Sequence, residues 1–308
     1  MAAQLAFDAE RFTKATLTDS PTLLFNNLTA DESTIAFVHV NQALMVPIAS
    51  ALSGDAVEKQ VIFSKDSAPL FQVRIVTLGA ETFFVLCSAV GVQIYDGKGK
   101  ALMHSHALTE GKTLTMPSGA ELGNHARGVC STCSADGRAQ VCVGSVGGGI
   151  FVFEYDGARF RTAATLSGRG SGGGGGGDDA GGGHKAPITD LGSEVDSYRG
   201  CAPAGAEAPR PILVSADDAG VVNVWAANSS ADFAKLFGVQ LAAPVSAVKA
   251  RGNQVVAAQV NGVVSFISLT SQKVYCELQA HSRYLSALDL HPTRDVFATV
   301  SEDSTVGV

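Results

Sequence analysis

The chain has 308 residues, of which 46% are hydrophobic and 17% charged, enough for one large domain with a substantial core. It carries 22 Lys+Arg against 29 Asp+Glu, a net charge of −7, and has no run of basic residues. That excludes the positive footprint with which nucleic-acid binders displace counterions.

The N-terminal stretch MAAQLAFDAERFTK meets acidic residues early and holds no apolar core of signal-peptide length. Residues 1–21 therefore read as an extension ahead of a domain spanning 22–308. Phe83 to Tyr95 is too short to cross a bilayer, and Thr34 to Leu52 is interrupted by His39, Asn41, Gln42 and Pro47. A soluble, cytoplasmic protein without membrane insertion is the expectation. The six Cys then read as reduced thiols, several of them inside apolar runs.

Along the chain one pattern recurs: a short apolar strand, a tight turn, and a second strand ending in a large apolar residue. Its copies are VLCSAVGVQIYD at 85–96, VCVGSVGGGIFVFE at 141–154, LVSADDAGVVNVWA at 213–226 and VAAQVNGVVSFISL at 256–269. A weaker copy is TIAFVHVNQALMVPI at 34–48, and FATVSEDSTVGV at 297–308 is the last. Alternate residues of a half-buried strand share one face, and the turns need residues that tolerate positive φ. Gly91, Gly148, Gly220 and Gly262 meet that need.

The strand-final residues Tyr95, Phe153, Trp225 and Ile267 are 58, 72 and 42 residues apart, and a further interval of 42 falls at 309. The short interval fits a four-stranded blade of roughly 40–45 residues. The long ones contain loop-like stretches: residues 109–121, the Gly-rich tract near 168–183, and a Ser, Pro, Ala and Gly-rich stretch near 193–211. These read as flexible insertions.

Two units open with His: GHKAPITDL at 183–191 and AHSRYLSALDL at 280–290. The first runs on through ADDAGVVNVW at 216–225 to Trp225-Ala226, and Tyr95-Asp96 is a relaxed closing pair elsewhere. The chain resembles the WD-repeat family, whose blades open with Gly-His and close with Trp-Asp or a relative. The resemblance spans about 25 to 308, apart from the Gly-rich tract. It implies an all-β propeller of four-stranded antiparallel blades. Five units are nearly complete and a sixth is cut short before its Trp position, as in part of a seven-bladed ring. The missing closure is expected from further residues or from another chain, because an open edge strand is usually avoided.

In that family the His, a strand Ser or Thr, the turn Asp and the Trp form a hydrogen-bonded chain. The resemblance implies His184, Trp225 and Asp217 or Asp218 for one unit, with Ser215 as a candidate hydroxyl. For the other it implies His281, Thr299 and Asp303. A buried His or Asp is costly unless paired, and a buried indole N–H seeks an acceptor. The expected role is structural.

Other candidates are weaker. Cys130-Ser-Thr-Cys133 has the gap of a metal knuckle, with His125 and Cys142 nearby, but a second such pair is absent from the sequence. No metal and no cofactor is expected. His104 and His106 share a strand face and read as exposed on an outer strand. The Gly run lacks the Gly-Lys-Ser/Thr of a phosphate loop, and no Gly-x-Ser-x-Gly elbow occurs. A hydrolase using the central channel would need carboxylates or His converging from several blades, and the turns offer Gly147 and Asn261. The expected function is a non-enzymatic scaffold or adaptor docking other proteins on its faces and loops, within a larger complex. A component of a cilium or flagellum axoneme, or a vesicle-associated adaptor, is the alternative setting.

Overall fold

The structure is a computed structural model that describes residues 19, 21–22, 26–53, 59–108, 114–115, 121–166, 183–198, 210–228 and 233–308. Most of the 1–21 extension, residues 168–182 of the Gly-rich tract and residues 199–209 lie outside them.

The chain is a β-propeller of sequential antiparallel sheets, each folding outward from the ring axis. Blade 1 holds β1 (Leu28–Ala30), β2 (Thr34–His39), β3 (Gln42–Pro47) and β4 (Gln60–Phe63), with helix α1 (Ile48–Ser53) between the last two. Blade 2 holds β5 (Leu70–Leu78), β6 (Glu81–Ser88), β7 (Gly91–Asp96) and β8 (Leu102–Ala107). The short strands β9 (Leu114–Thr115) and β10 (Glu121–Leu122) pair with each other. Blade 3 holds β11 (Ala126–Cys133), β12 (Ala139–Ser145), β13 (Ile150–Tyr155) and β14 (Phe160–Leu166). Blade 4 holds β15 (Ile188–Ser193), β16 (Ile212–Asp217), β17 (Val221–Ala227) and β18 (Phe233–Gln240), with helix α2 (Glu194–Tyr198) after its first strand. Blade 5 holds β19 (Val245–Arg251), β20 (Gln254–Gln259), β21 (Val263–Ser268) and β22 (Lys273–Gln279). Blade 6 holds three strands, β23 (Leu285–Leu290), β24 (Phe297–Ser301) and β25 (Val306–Gly307). A seventh blade is not present among the described residues.

Each recurring sequence pair is the second and third strand of one blade, so the tight turns mark the blades correctly. The half-buried alternation does not hold for these middle strands. Ile212–Asp217 is buried at every position, because a blade is covered on both faces by its neighbours. Core clusters therefore straddle the seams. Val85, Val92 and Ile94 pack with Val129, Val141 and Phe153. Leu213 and Trp225 pack with Cys130, Cys142 and Val152. The other face of blade 1 is closed differently: Phe37, Leu44 and Val46 are covered by Ala51 of α1.

The first strands of blades 2–6 line the axis, and each carries a register shift near its start, as between Ile188 and Asp190 or Val245 and Ala247. Such bulges sharpen local twist, which a blade needs as it fans out from the axis. The turn glycines have a second reason beyond φ. Gly148, at φ 83°, would place a Cβ 2.2 Å from the carbonyl oxygen of His184. Gly262, at φ 88°, would meet the carbonyl of His281 at the same distance. Each His-led loop thus lies directly on the tight turn of the preceding blade, where no side chain fits.

Candidate functional site at the ring axis

Two kinds of polar assembly occupy the interior: struts within blades, and a charged cluster at the axis. In blade 4 the His184 Nδ1 lies 2.8 Å from Asp217 Oδ2, and its Nε2 lies 2.7 Å from Ser215 Oγ. The Trp225 indole N–H donates to the same Ser215 Oγ at 2.8 Å. Asp217 Oδ1 accepts the backbone N–H groups of Ala219 and Val221 at 3.0 and 2.8 Å, which fixes the turn. The structure thus brings His184, Asp217 and Trp225 together through Ser215. It leaves Asp218 outside, at the exposed turn, where partial desolvation raises its carboxyl against the pull of Arg127. The extra residue before Gly220 left that choice open in sequence; the cross-strand pairing Ile188↔Asp217 settles it.

In blade 6, His281 Nε2 lies 2.9 Å from Thr299 Oγ1 and Nδ1 lies 3.0 Å from Asp303 Oδ2. Thr305 Oγ1 joins at 3.0 Å from Nδ1. The hydrogen bond from Thr305 to Asp303, with backbone N–H groups of Ser282 and Thr305, holds the Asp303 carboxyl well below the usual range. Thr305 was missed in sequence; its signal is the Asp-Ser-Thr turn itself. Blade 5 reaches the same end without His: Gln259 Nε2 donates to Ser265 Oγ at 2.8 Å, and Ser265 donates to Glu277 at 2.8 Å.

The axial cluster is built around α2. Ser193 caps this helix by accepting the N–H of Asp196 at 2.8 Å. Residues 193–198 are thus an ordered, buried strand end and helix, which corrects the reading of 193–211 as one flexible insertion. A Ser-rich composition hid a cap. The helix lies where the first strands end, and Asp196 reaches three other blades. It accepts from Arg74 Nη2 of β5 at 3.2 Å and from Ser131 Oγ of β11 at 3.3 Å, and stands 3.8 Å from Lys249 Nζ of β19. Burial pushes the Asp196 carboxyl up, but Arg74 and Lys249 together outweigh it, and the group stays below the usual range. Lys249 also lies 3.4 Å from Asp289 of β23.

Asp190 differs. Burial dominates and raises its carboxyl, though its Oδ2 accepts the N–H of Val248 at 2.9 Å. Glu194 accepts from the backbone N–H groups of Arg210 and Gly252 at 2.9 and 3.0 Å. Arg251 donates to the carbonyls of Ser197 and Arg294 at 3.2 and 2.6 Å and lies over the Tyr198 ring. Carboxylates do gather at the axis, but Asp190, Glu194 and Asp196 all come from blade 4 and only Asp289 from another blade. They come from the first strands and α2, and each is engaged by a cation, a hydroxyl or a backbone N–H. Beside them opens a cavity of about 430 Å³ lined by Thr29, Asp31, Glu32, Arg74, Ser131 and Asp196.

The remaining candidates do not assemble. Cys130 and Cys142 face each other across β11 and β12, both fully buried in the seam core. His125 stacks on Phe71 with centroids 4.3 Å apart. Among the described residues no group of three or more His, Cys, Asp or Glu could hold a metal ion. Among them too, no helix is long and apolar enough to cross a membrane. His104 and His106 are half-buried rather than exposed, against the phenylalanines of the next blade.

Known proteins are similar to this chain in fold and in sequence. A chain in a crystal structure of the mitotic checkpoint complex superposes with a TM-score of 0.63 at 16% identity, covering 99% of this chain and 83% of that one, which shows the propeller fold alone. WD repeat-containing protein 54 of Mus musculus is 28% identical over 249 residues, 79% of this chain and 63% of the mouse protein. The Homo sapiens protein of the same name is 26% identical over 271 residues, 85% of this chain and 70% of its own length. The chain thus matches under two thirds of the mouse protein's length. The model of the WDR54 family matches residues 27–308, and with the blades and their His-led struts in place, the chain belongs to that family.

Proposed function

We propose that the chain is a non-enzymatic scaffold that docks other proteins on the faces and loops of its propeller, as part of a larger complex. One observation carries this reading: the charged residues gathered at the axis are consumed in holding blades together. Asp196 ties blades 2, 3 and 5 to blade 4, and Lys249 ties blade 5 to blade 6. A catalytic site needs a nucleophile or base left poised against a substrate position. A rigid ring with fixed loops needs the opposite, every buried charge matched. The family is one of WD-repeat propellers, which generally bind proteins.

The cavity beside Arg74 and Asp196 is the docking place we favour, with the exposed Glu32 at its rim. The test is recovery of partners by the purified full chain from cell extract, comparing the wild type with Glu32→Lys. The reading expects stable partners that the substitution selectively loses. Recovery of none, together with turnover in a broad hydrolase panel, would contradict it. A cytoplasmic setting belongs to this reading, and a tagged chain accumulating in cilia or on vesicles would narrow it.

A further inference from the structure

The outer rim between blades 2 and 3 differs from the rest of the ring in carrying two imidazoles in an aromatic seam. His104 and His106 alternate with Ser105 on β8, so both rings point to the same side. That side faces blade 3. The His104 ring lies 5.2 Å from Phe153, and the His106 ring lies 5.0 Å from Phe151 and 5.4 Å from Phe153, by centroids. His106 Nδ1 is 3.4 Å from Thr162 Oγ1 of β14. His104 Nε2 is buried and has no hydrogen-bond partner.

We propose that His104 and His106 form a proton-sensitive latch, holding the rim of the blade 2–blade 3 seam closed while neutral and opening it when they take up protons. Neutral imidazole packs on phenylalanine as an aromatic ring. Protonated, the pair puts two like charges on one strand face, against a wall with no acceptor for the buried Nε2–H.

Among the described residues no carboxylate faces either ring. From β13 and β14 the facing groups are Phe151, Phe153 and Thr162. Glu154 alternates to the other face of blade 3, where it takes Arg138 and Arg161. The titratable pair Glu81 and Tyr155 bonds to each other, and Tyr155 packs on Phe83 and Phe160. On β8 itself Ser105 is reached by Lys65, a cation. Burial is the main cause lowering the His104 affinity for protons, with His106 adding to it, and burial alone lowers that of His106.

The direction follows from linkage. An unfolded imidazole titrates near pH 6.5, as the opened rim would. The closed rim titrates lower, so below about pH 6.5 the open form binds more protons and the closed form weakens. The effect is fully present once pH has fallen below the closed-state value. His125, also lowered by burial, lies ahead of β11 and not at the rim, and it is left unchanged as a control.

Hydrogen exchange on the full chain tests this, at about pH 7.5 and about pH 5.5, corrected for intrinsic rates. The latch predicts that peptides over 102–107 and 150–166 lose protection on acidification, by up to roughly tenfold per imidazole, the limit set by an open-state value near 6.5 and a measurement about one unit below it. Peptides over 254–268 are the unmoved reference. In His104→Phe/His106→Phe, which keeps the rings and removes the charge, the rim stays protected at both values. In His104→Gln/His106→Gln, its protection is the same at both values, whatever its level. Unchanged protection in the wild type, or acid opening that persists in either double variant, overturns the proposal.

Discussion

Blade 4 and blade 6 carry the same His-led opening and end differently. In blade 4 the His, Ser, Asp and Trp close a fully buried chain, with the His184 and Asp217 side chains 0% and 1% exposed. In blade 6 the third strand reaches only Gly307, and Thr305 stands in beside Asp303. The sheet faces differ too. Ala216 and Val222 are cross-strand partners next to the first-strand bulge of blade 4, and both are 0% exposed. Val300 and Val306 hold the same places in blade 6 and are 43% and 57% exposed. Beyond them, between blade 6 and β1, lies a cavity of about 450 Å³. The same local motif thus sits in one blade covered on both faces and in another that, among the described residues, has a neighbouring blade against one face only.

The largest effect should come from α2, the helix that follows the first strand of blade 4. Asp196→Ala leaves Arg74 and Lys249 buried without their shared carboxylate, a loss expected at about 3–5 kcal/mol in chemical unfolding. Asp196→Asn keeps the acceptor for Ser131 and should cost less. Equal, small losses in both would show that α2 merely rests on the ring.

Next is the face contrast. Val222→Lys should cost about 3 kcal/mol, because a 0% exposed seam position takes an ammonium only with local displacement. Val306→Lys should shift stability by no more than about 0.5 kcal/mol. Comparable damage from both would mean that the blade 6 face is covered in solution. His184→Ala should cost about 3 kcal/mol, since it removes the buried imidazole that Asp217 Oδ2 and Ser215 share, and more than His281→Ala. Reversal of that order would break the comparison.

Much of this was legible in sequence because it is local. VLCSAVGVQIYD and LVSADDAGVVNVWA each became a strand pair, since the tight turn and the strands it joins lie within about a dozen residues. Burial on both faces was not legible in the alternation, because the second face is covered by residues from the next blade. Asp190, Asp196, Arg74 and Lys249 were passed over for the same reason. None stands in a motif that marks it, and only the ring brings the first strands of separate blades to one axis. Asp217 and Asp218 are adjacent, and strand register rather than composition selects between them.

The smallest effect is on acid stability. Asp303 binds its proton more weakly folded than unfolded, so the stability it lends is present above about pH 4, the unfolded value, and is lost as pH falls through the lower folded value. Asp303→Asn should therefore flatten the decline below pH 4 seen in thermal melts, and an unaltered decline would remove Asp303 from the blade 6 strut.

Native-state hydrogen exchange resolved by blade tests the central claim most directly, that polar struts hold a blade only where its faces are covered. Amides of β16 and β17 are predicted to exchange only by global unfolding, and those of β24 and β25 by a much cheaper local opening. Equal protection of the two pairs would contradict the account.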